Sequence, residues 1–188
     1  ALHSHVRVID KPNSGHGQTC VEGYRQALRD GADWIFQIDS DGQCDPQYFQ
    51  ALWSRRESSG VLFGYRRRRD DGWFRYAVSH ILSATVLLAT GQWVRDSNVP
   101  YRLMRADALS GIVPQIPSDF DLANVLVAVL LAEKFPITWI DIRFRNRYGR
   151  PANTKFRFFW KKAVQLWLQL RAFRASTRRA PAIRSETV

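Results

Sequence analysis

Residues 33–39, DWIFQID, run straight into SDGQCDP, so an apolar stretch ends in three carboxylates, Asp39, Asp41 and Asp45. The stretch is apolar on both alternating faces and reads as a strand buried on both sides, the pattern of a parallel sheet. Like charges this close repel unless a cation sits among them or each carboxylate finds its own donor.

The neighbouring segments alternate in kind. VRVI (6–9) reads as a short strand, and the loop DKPNSGHG follows it. Val21, Tyr24, Ala27 and Leu28 have helical spacing, with Gly31 placed to stop the helix. Asp45-Pro46 has the form of an N-cap followed by proline at the first helical position, opening a helix through Leu52 and Trp53. VLFG (61–64) reads as a strand, WFRYAVSHILSATVLLAT (73–90) as a long helix stopped by Gly91, and YRLM as a short extended piece. A mostly apolar helix is expected between Leu122 and Glu133, then a strand over 137–147. Strands alternating with helices predict an α/β fold, a largely parallel sheet with flanking helices.

With 188 residues, 45% of them hydrophobic, the chain can build one core of ordinary size. Cys20 and Cys44 have neither metal-ligand nor disulfide-framework spacing, which suits a reducing compartment. No stretch reaches the roughly 18–20 apolar residues of a spanning helix. The chain opens on Ala1, and its only methionine is Met104, so it reads as a piece of a longer protein. Residues 141–188 hold 13 Lys/Arg against 2 Asp/Glu, which accounts for the whole net charge of +11. That local excess points to an anionic partner such as phosphate, nucleic acid or a membrane surface.

In open α/β sheets ligands bind beyond the carboxyl ends of the strands, where DSDGQ falls. Asp39 and Asp41, with Gly42 permitting a sharp turn, can aim two carboxylates at one Mg²⁺ or Mn²⁺, with Gln43 adding a neutral oxygen. The alternative is an Asx-turn plus a helix cap, which uses Asp41 and Asp45 and leaves Asp39 unexplained. Residues 13–17 lack the Gly-Lys-Ser/Thr ending of a P-loop, which argues against an NTPase.

Five segments in order resemble one known family. WIFQIDSDGQCDPQYFQALW is similar to the aspartate-x-aspartate segment of family-two glycosyltransferases, nearest the branch of dolichyl-phosphate mannose synthases and bacterial polyprenyl-phosphate glycosyltransferases. NSGHGQTCVEGYRQAL resembles the family's Asn-x-Gly-x-Gly loop and helix, and GYRRRRDDGWFRYAVS its Gly-x-Arg segment and following helix. RDSNVPYRLMR resembles the acceptor segment, and RNRYGRPANTK the Arg-x-x-Gly segment. The likeness covers roughly residues 6–160.

The resemblance implies a nucleotide-diphospho-sugar transferase (GT-A) sheet and a metal-dependent, inverting transfer of a hexose from a nucleotide-sugar to a polyprenyl phosphate. It places Asp39, Asp41 and Gln43 at Mg²⁺ or Mn²⁺, and Asn13, Gly15, Arg66, Arg75, Ser79 and Arg147 at substrate. Asp96 and Arg102 become catalytic candidates, Asp96 as a sugar-hydroxyl contact or base and Arg102 at phosphate. In the run Arg66–Arg69, Arg66 alone is assigned to the site, and Arg67 to Arg69 are read as bystanders or membrane-surface charges. The resemblance also implies two strands that grip the nucleotide base ahead of Ala1. Without them, VRVI either pairs directly with WIFQID or leaves it an exposed edge, and the chain alone binds sugar nucleotide poorly.

The expected organisation is a catalytic domain over 1–154, a basic amphipathic helix over 155–175 and a disordered basic tail over 176–188. In the helix, Arg157, Lys161, Gln165 and Gln169 form a polar stripe among aromatic and aliphatic residues, as in helices that lie in a membrane interface. An ordinary surface helix packed on the domain is the other reading. A peripheral position at the cytoplasmic face of a membrane, beside anionic lipid, would bring the site to a lipid-linked acceptor. Two alternatives stand beside the lipid-phosphate reading: a saccharide acceptor in cell-surface polysaccharide synthesis, and a basic nucleic-acid-binding protein with pI near 10.3.

Overall fold

A computed structural model describes residues 5–146 and 156–179. Four strands form one sheet in the order β1-β3-β2-β4: β1 Trp34–Ile38, β2 Val61–Arg69, β3 Tyr101–Arg105 and β4 Thr138–Phe144. The helices are α1 His16–Arg29, α2 Phe49–Trp53, α3 Trp73–Thr90, α4 Ala106–Ser110, α5 Ala123–Lys134 and α6 Phe156–Arg179.

Local chemistry sets most boundaries as read. Gly91 adopts a left-handed φ of 74° and its N–H reaches Leu87 O at 2.7 Å, closing α3. Asp45 caps a 3-10 turn at Pro46–Tyr48, accepting from Gln47 N at 3.0 Å, and α2 continues from it. Helix α5 is buried from Ala123 to Leu131 and forms the centre of the core.

The sheet corrects the largely parallel expectation. β2 and β4 are parallel, whereas β3 runs antiparallel to both β1 and β2 and lies between them. A strand that follows a helix reads as a parallel crossover. Here α3 packs along α6, and the chain re-enters the sheet reversed. β2 also extends beyond VLFG to Arg69, with a register irregularity between Arg66 and Arg68.

VRVI is not a strand. Val6, Val8 and Ile9 are exposed, and β1 is the edge of the sheet with its outer side unpaired among the described residues. Arg7 pairs with Asp30 at the far end of α1, and a groove of about 550 Å³ lies between α1 and β1. Of the two outcomes foreseen for WIFQID, the exposed edge is the one observed.

Helix α6 continues four residues past the expected boundary at 175. Ala163, Leu166 and Leu170 are buried, whereas Trp160, Val164 and Leu168, at i, i+4, i+8 spacing, face outward. Gln169, read as a polar-face residue, and its neighbour Lys162 turn inward to bond Asp119 and Asp121 ahead of α5. The helix is therefore docked on the domain and still apolar on its outer side.

Candidate active site

β1, β2 and β4 point the same way, and the chemistry gathers beyond their carboxyl ends. The loop after β1 is tied to the end of β4: Arg145 N donates to Gln43 O at 2.9 Å, and Gln43 Nε2 donates to Arg145 O at 3.1 Å. Between this loop and α3 lies a cavity of about 410 Å³. Asp39, Asp41 and Gln43 form one wall, and Arg66, Arg69, Asp71, Arg75 and Ser79 form the other. One wall is anionic and the other is rich in guanidinium.

On the anionic wall, Asp41 makes the expected Asx-turn, accepting from Gln43 N at 3.1 Å while Gly42 takes a φ of 77°. Asp39 accepts no hydrogen bond from the described residues. Burial, with a further contribution from Asp41, pushes the Asp39 carboxyl above its usual range, against the opposing pull of His16, Arg102 and Arg66. Among the described residues no cluster of three or more His, Cys, Asp or Glu forms a ready-made metal cage. Two carboxylates at an open cavity do fit Mg²⁺ or Mn²⁺, which are commonly held by one or two carboxylates plus substrate phosphates. The half-buried Asp39, which accepts no hydrogen bond from the described residues, is the residue that the turn-and-cap alternative leaves unexplained.

On the opposite wall, Arg66 forms a bidentate pair with Asp96, Nε to Oδ2 at 2.7 Å and Nη2 to Oδ1 at 2.6 Å. Asp96 sits behind Arg66 and does not line the cavity. Its carboxylate orients the arginine. Nη1 of Arg66 has no acceptor among the described residues and is open to a ligand. Ser79 Oγ accepts from Arg69 Nη1 at 2.7 Å and, at 3.4 Å, from Arg66 Nη2, and it donates to Arg75 O at 3.1 Å. It joins the arginines together. Arg75 lines the cavity with no ion pair among the described residues.

Besides Asp96, three expected site residues lie outside the cavity lining. Arg102 is wholly buried, donating to Val99 O, Asn124 O and Ser97 O at 2.8–2.9 Å and stacking on Phe63, so it staples the loop before β3 to α5. It touches no cavity wall, although its charge reaches Asp39 through the protein. Asn13 accepts from Gly15 N at 2.9 Å, and Gly15 takes a φ of 84° to start α1. Neither residue lines the cavity. They shape the turn that delivers His16 to its rim. Arg147 lies outside the described residues.

Arg69 and Asp71 were missed. Strict alternation from Arg66 would put Arg68 on the inner face, but the bulge adds a residue and puts Arg69 there instead. Four identical letters in a row carry no sign of that shift.

A second cavity, of about 350 Å³ and mostly apolar, adjoins the first and shares His16, Val78, Leu82, Asn98 and Phe159 with it. It is bounded by α3 and by Phe158, Phe159 and Trp160 of α6.

The sheet, the paired aspartates and the Gly-x-Arg strand now stand in one arrangement, and the family model for glycosyl transferase family 2 matches residues 1–113. The chain belongs to glycosyl transferase family 2. It is 29% identical over 139 residues to an undecaprenyl-phosphate 4-deoxy-4-formamido-L-arabinose transferase of Proteus mirabilis, covering 69% of this chain and 42% of the relative. A Mycobacterium tuberculosis relative is 29% identical over 123 residues, covering 64% of this chain and 35% of the relative. The chain thus spans less than half the length of these curated relatives. Glucosyl-3-phosphoglycerate synthase from M. tuberculosis, solved with phosphoglyceric acid, superposes with a TM-score of 0.53 at 15% identity. That likeness covers 88% of this chain and 56% of the synthase, and establishes the shared fold.

Proposed function

We propose that this family-2 protein is an inverting glycosyltransferase that moves a sugar, read from the sequence as a hexose, from a nucleotide-sugar to a polyprenyl phosphate at a membrane surface. The observation that carries the reading is the pair of adjoining cavities. One is polar, with a carboxylate wall facing an arginine wall, and it adjoins an apolar one suited to the first units of a lipid chain. The relative that acts on undecaprenyl phosphate supports this acceptor class.

In this reading an oxygen of the acceptor phosphate attacks the anomeric carbon, and the bond from that carbon to the nucleotide diphosphate breaks. The acceptor is already anionic near neutral pH, so positioning matters more than a base. Arg66 and Arg75 bind phosphate oxygens, with Asp96 and Ser79 fixing Arg66. Asp39 and Asp41 would hold Mg²⁺ or Mn²⁺, which supplies positive charge against the leaving diphosphate.

The membrane part rests on exposed apolar residues. No helix among the described residues is long and apolar enough to cross a bilayer. Trp73 and Leu88 on α3, at 81% and 79% exposed, join Trp160 and Leu168 of α6 as large apolar side chains in water. Such surface beside a basic helix suits the headgroup region of an anionic bilayer.

The test uses the complete protein with UDP- and GDP-sugars, Mn²⁺, and either undecaprenyl phosphate or soluble saccharides. Transfer to the lipid phosphate is expected, with Asp41→Ala abolishing it while the fold survives. Near-normal turnover by that variant would remove the metal role, and transfer only to saccharides would replace the acceptor.

A further inference from the structure

The bulge in β2 brings a second arginine of that strand to the polar cavity, beside Arg66 and Arg75, and its setting is specific. Arg69 bonds Asp71 through Nε at 2.9 Å and Nη2 at 2.7 Å, with side chains only 7% and 4% exposed. Its Nη1 reaches Ser79, and its guanidinium lies 5.5 Å from the centre of the Phe144 ring, over which Arg66 also sits at 4.9 Å. Arg67, by contrast, is 71% exposed and pairs with Asp141 outside the cavity.

We propose that Arg69 is a further anion-binding residue of this cavity, held in place by Asp71 and Ser79 and acting beside Arg75 on a phosphoryl oxygen. A guanidinium has five N–H donors. The contacts to Asp71 and Ser79 leave one N–H on each Nη of Arg69. The charges along this wall also favour an anion: Asp96 balances Arg66, Asp71 balances Arg69, and Arg75 is left over. Arg75 offsets part of the repulsion from Asp39 and Asp41 on the facing wall, and the two braced forks supply directed donors at little further ordering cost. The inference depends on reading the cavity as a phosphate site, and does not depend on the sugar or the lipid.

Calorimetric titration of the 188-residue chain with inorganic pyrophosphate at low salt tests it. The unmodified chain should bind saturably. Arg69→Gln should weaken binding at least tenfold, and Arg67→Gln should leave it within twofold. Arg69→Lys keeps the charge and loses the fork, and should fall between the two; it serves as the readout if circular dichroism shows Arg69→Gln unfolded. Absence of saturable binding by the unmodified chain overturns the proposal, as does unchanged affinity in the folded Arg69 variants or equal weakening by Arg67→Gln. If the complete protein transfers no sugar while pyrophosphate binding still requires Arg69, the transferase reading falls and the anion site stands.

Discussion

Arg66 and Asp96, thirty residues apart, meet as a bidentate pair with neither side chain more than 8% exposed. Strand β2 supplies the arginine, and the loop before β3 supplies the acid. Asp96→Ala strands a buried guanidinium and should lower stability by about 3–5 kcal/mol. Urea unfolding measures the loss. Arg66→Met combined with Asp96→Leu should recover much of it, because removing both charges avoids the uncompensated one.

Arg102 makes a different prediction, because its three acceptors are backbone carbonyls. Arg102→Met leaves these buried oxygens without donors, each costing about 1–3 kcal/mol. A loss of at least ~3 kcal/mol in urea unfolding is expected. Full stability with lost phosphate binding would return Arg102 to the substrate.

Two glycines of α1 should respond with opposite sign. A Cβ on Gly17 would meet Ala123 N at 2.6 Å and Asp121 O at 2.8 Å, both backbone atoms. Gly17→Ala should cost about 2–3 kcal/mol, as overpacking does. A Cβ on Gly23 meets nothing within 4 Å, so Gly23→Ala should stabilise by about 0.5–1 kcal/mol. Paired thermal melts decide both.

Burial pushes the Cys20 thiol from its ordinary 9.0 up to about 11. A raised pKa means less thiolate, so near pH 8 alkylation should run about 100-fold slower than for a thiol at 9.0. The rate should climb as pH approaches 11, which timed iodoacetamide labelling with mass spectrometry can follow. The fold holds this proton more tightly than the unfolded chain does, so the contribution is full below pH 9 and is lost as pH rises through about 11.

The outer stripe of α6 should govern attachment to lipid. The whole chain is expected to co-sediment with anionic vesicles, to lose much of that binding at high salt, and to lose it also with Trp160→Ser and Leu168→Ser together. Equal binding to neutral and anionic vesicles would show that charge has no part in it.

What could be read in advance was what neighbouring residues decide. Gly31, Gly91 and Asp45-Pro46 punctuate the chain through their own backbone chemistry, and the five ordered motifs located the carboxylates and Arg66. Direction and register were not legible, because they depend on residues far along the chain. β3 looks like any other strand until α3 is seen packing along α6. VRVI has strand composition, yet among the described residues it pairs with no strand. Arg102 sits in a motif that suggested substrate, yet Val99, Ser97 and Asn124 hold it in the interior. Arg69 reaches the cavity only because one residue of β2 is extra.

The open side of β1 should leave a rhythm in amide hydrogen exchange. Alternate N–H groups of Trp34–Ile38 point to β3 and to the uncovered side, as the antiparallel ladder requires. Those facing β3 should keep their protons for as long as the domain stays folded, and those between them should exchange nearly as freely as in a loop. A strand protected at every second residue would show that the sheet stops at β1. Protection that became continuous on mixing with another polypeptide would show that its backbone had lain down against that edge.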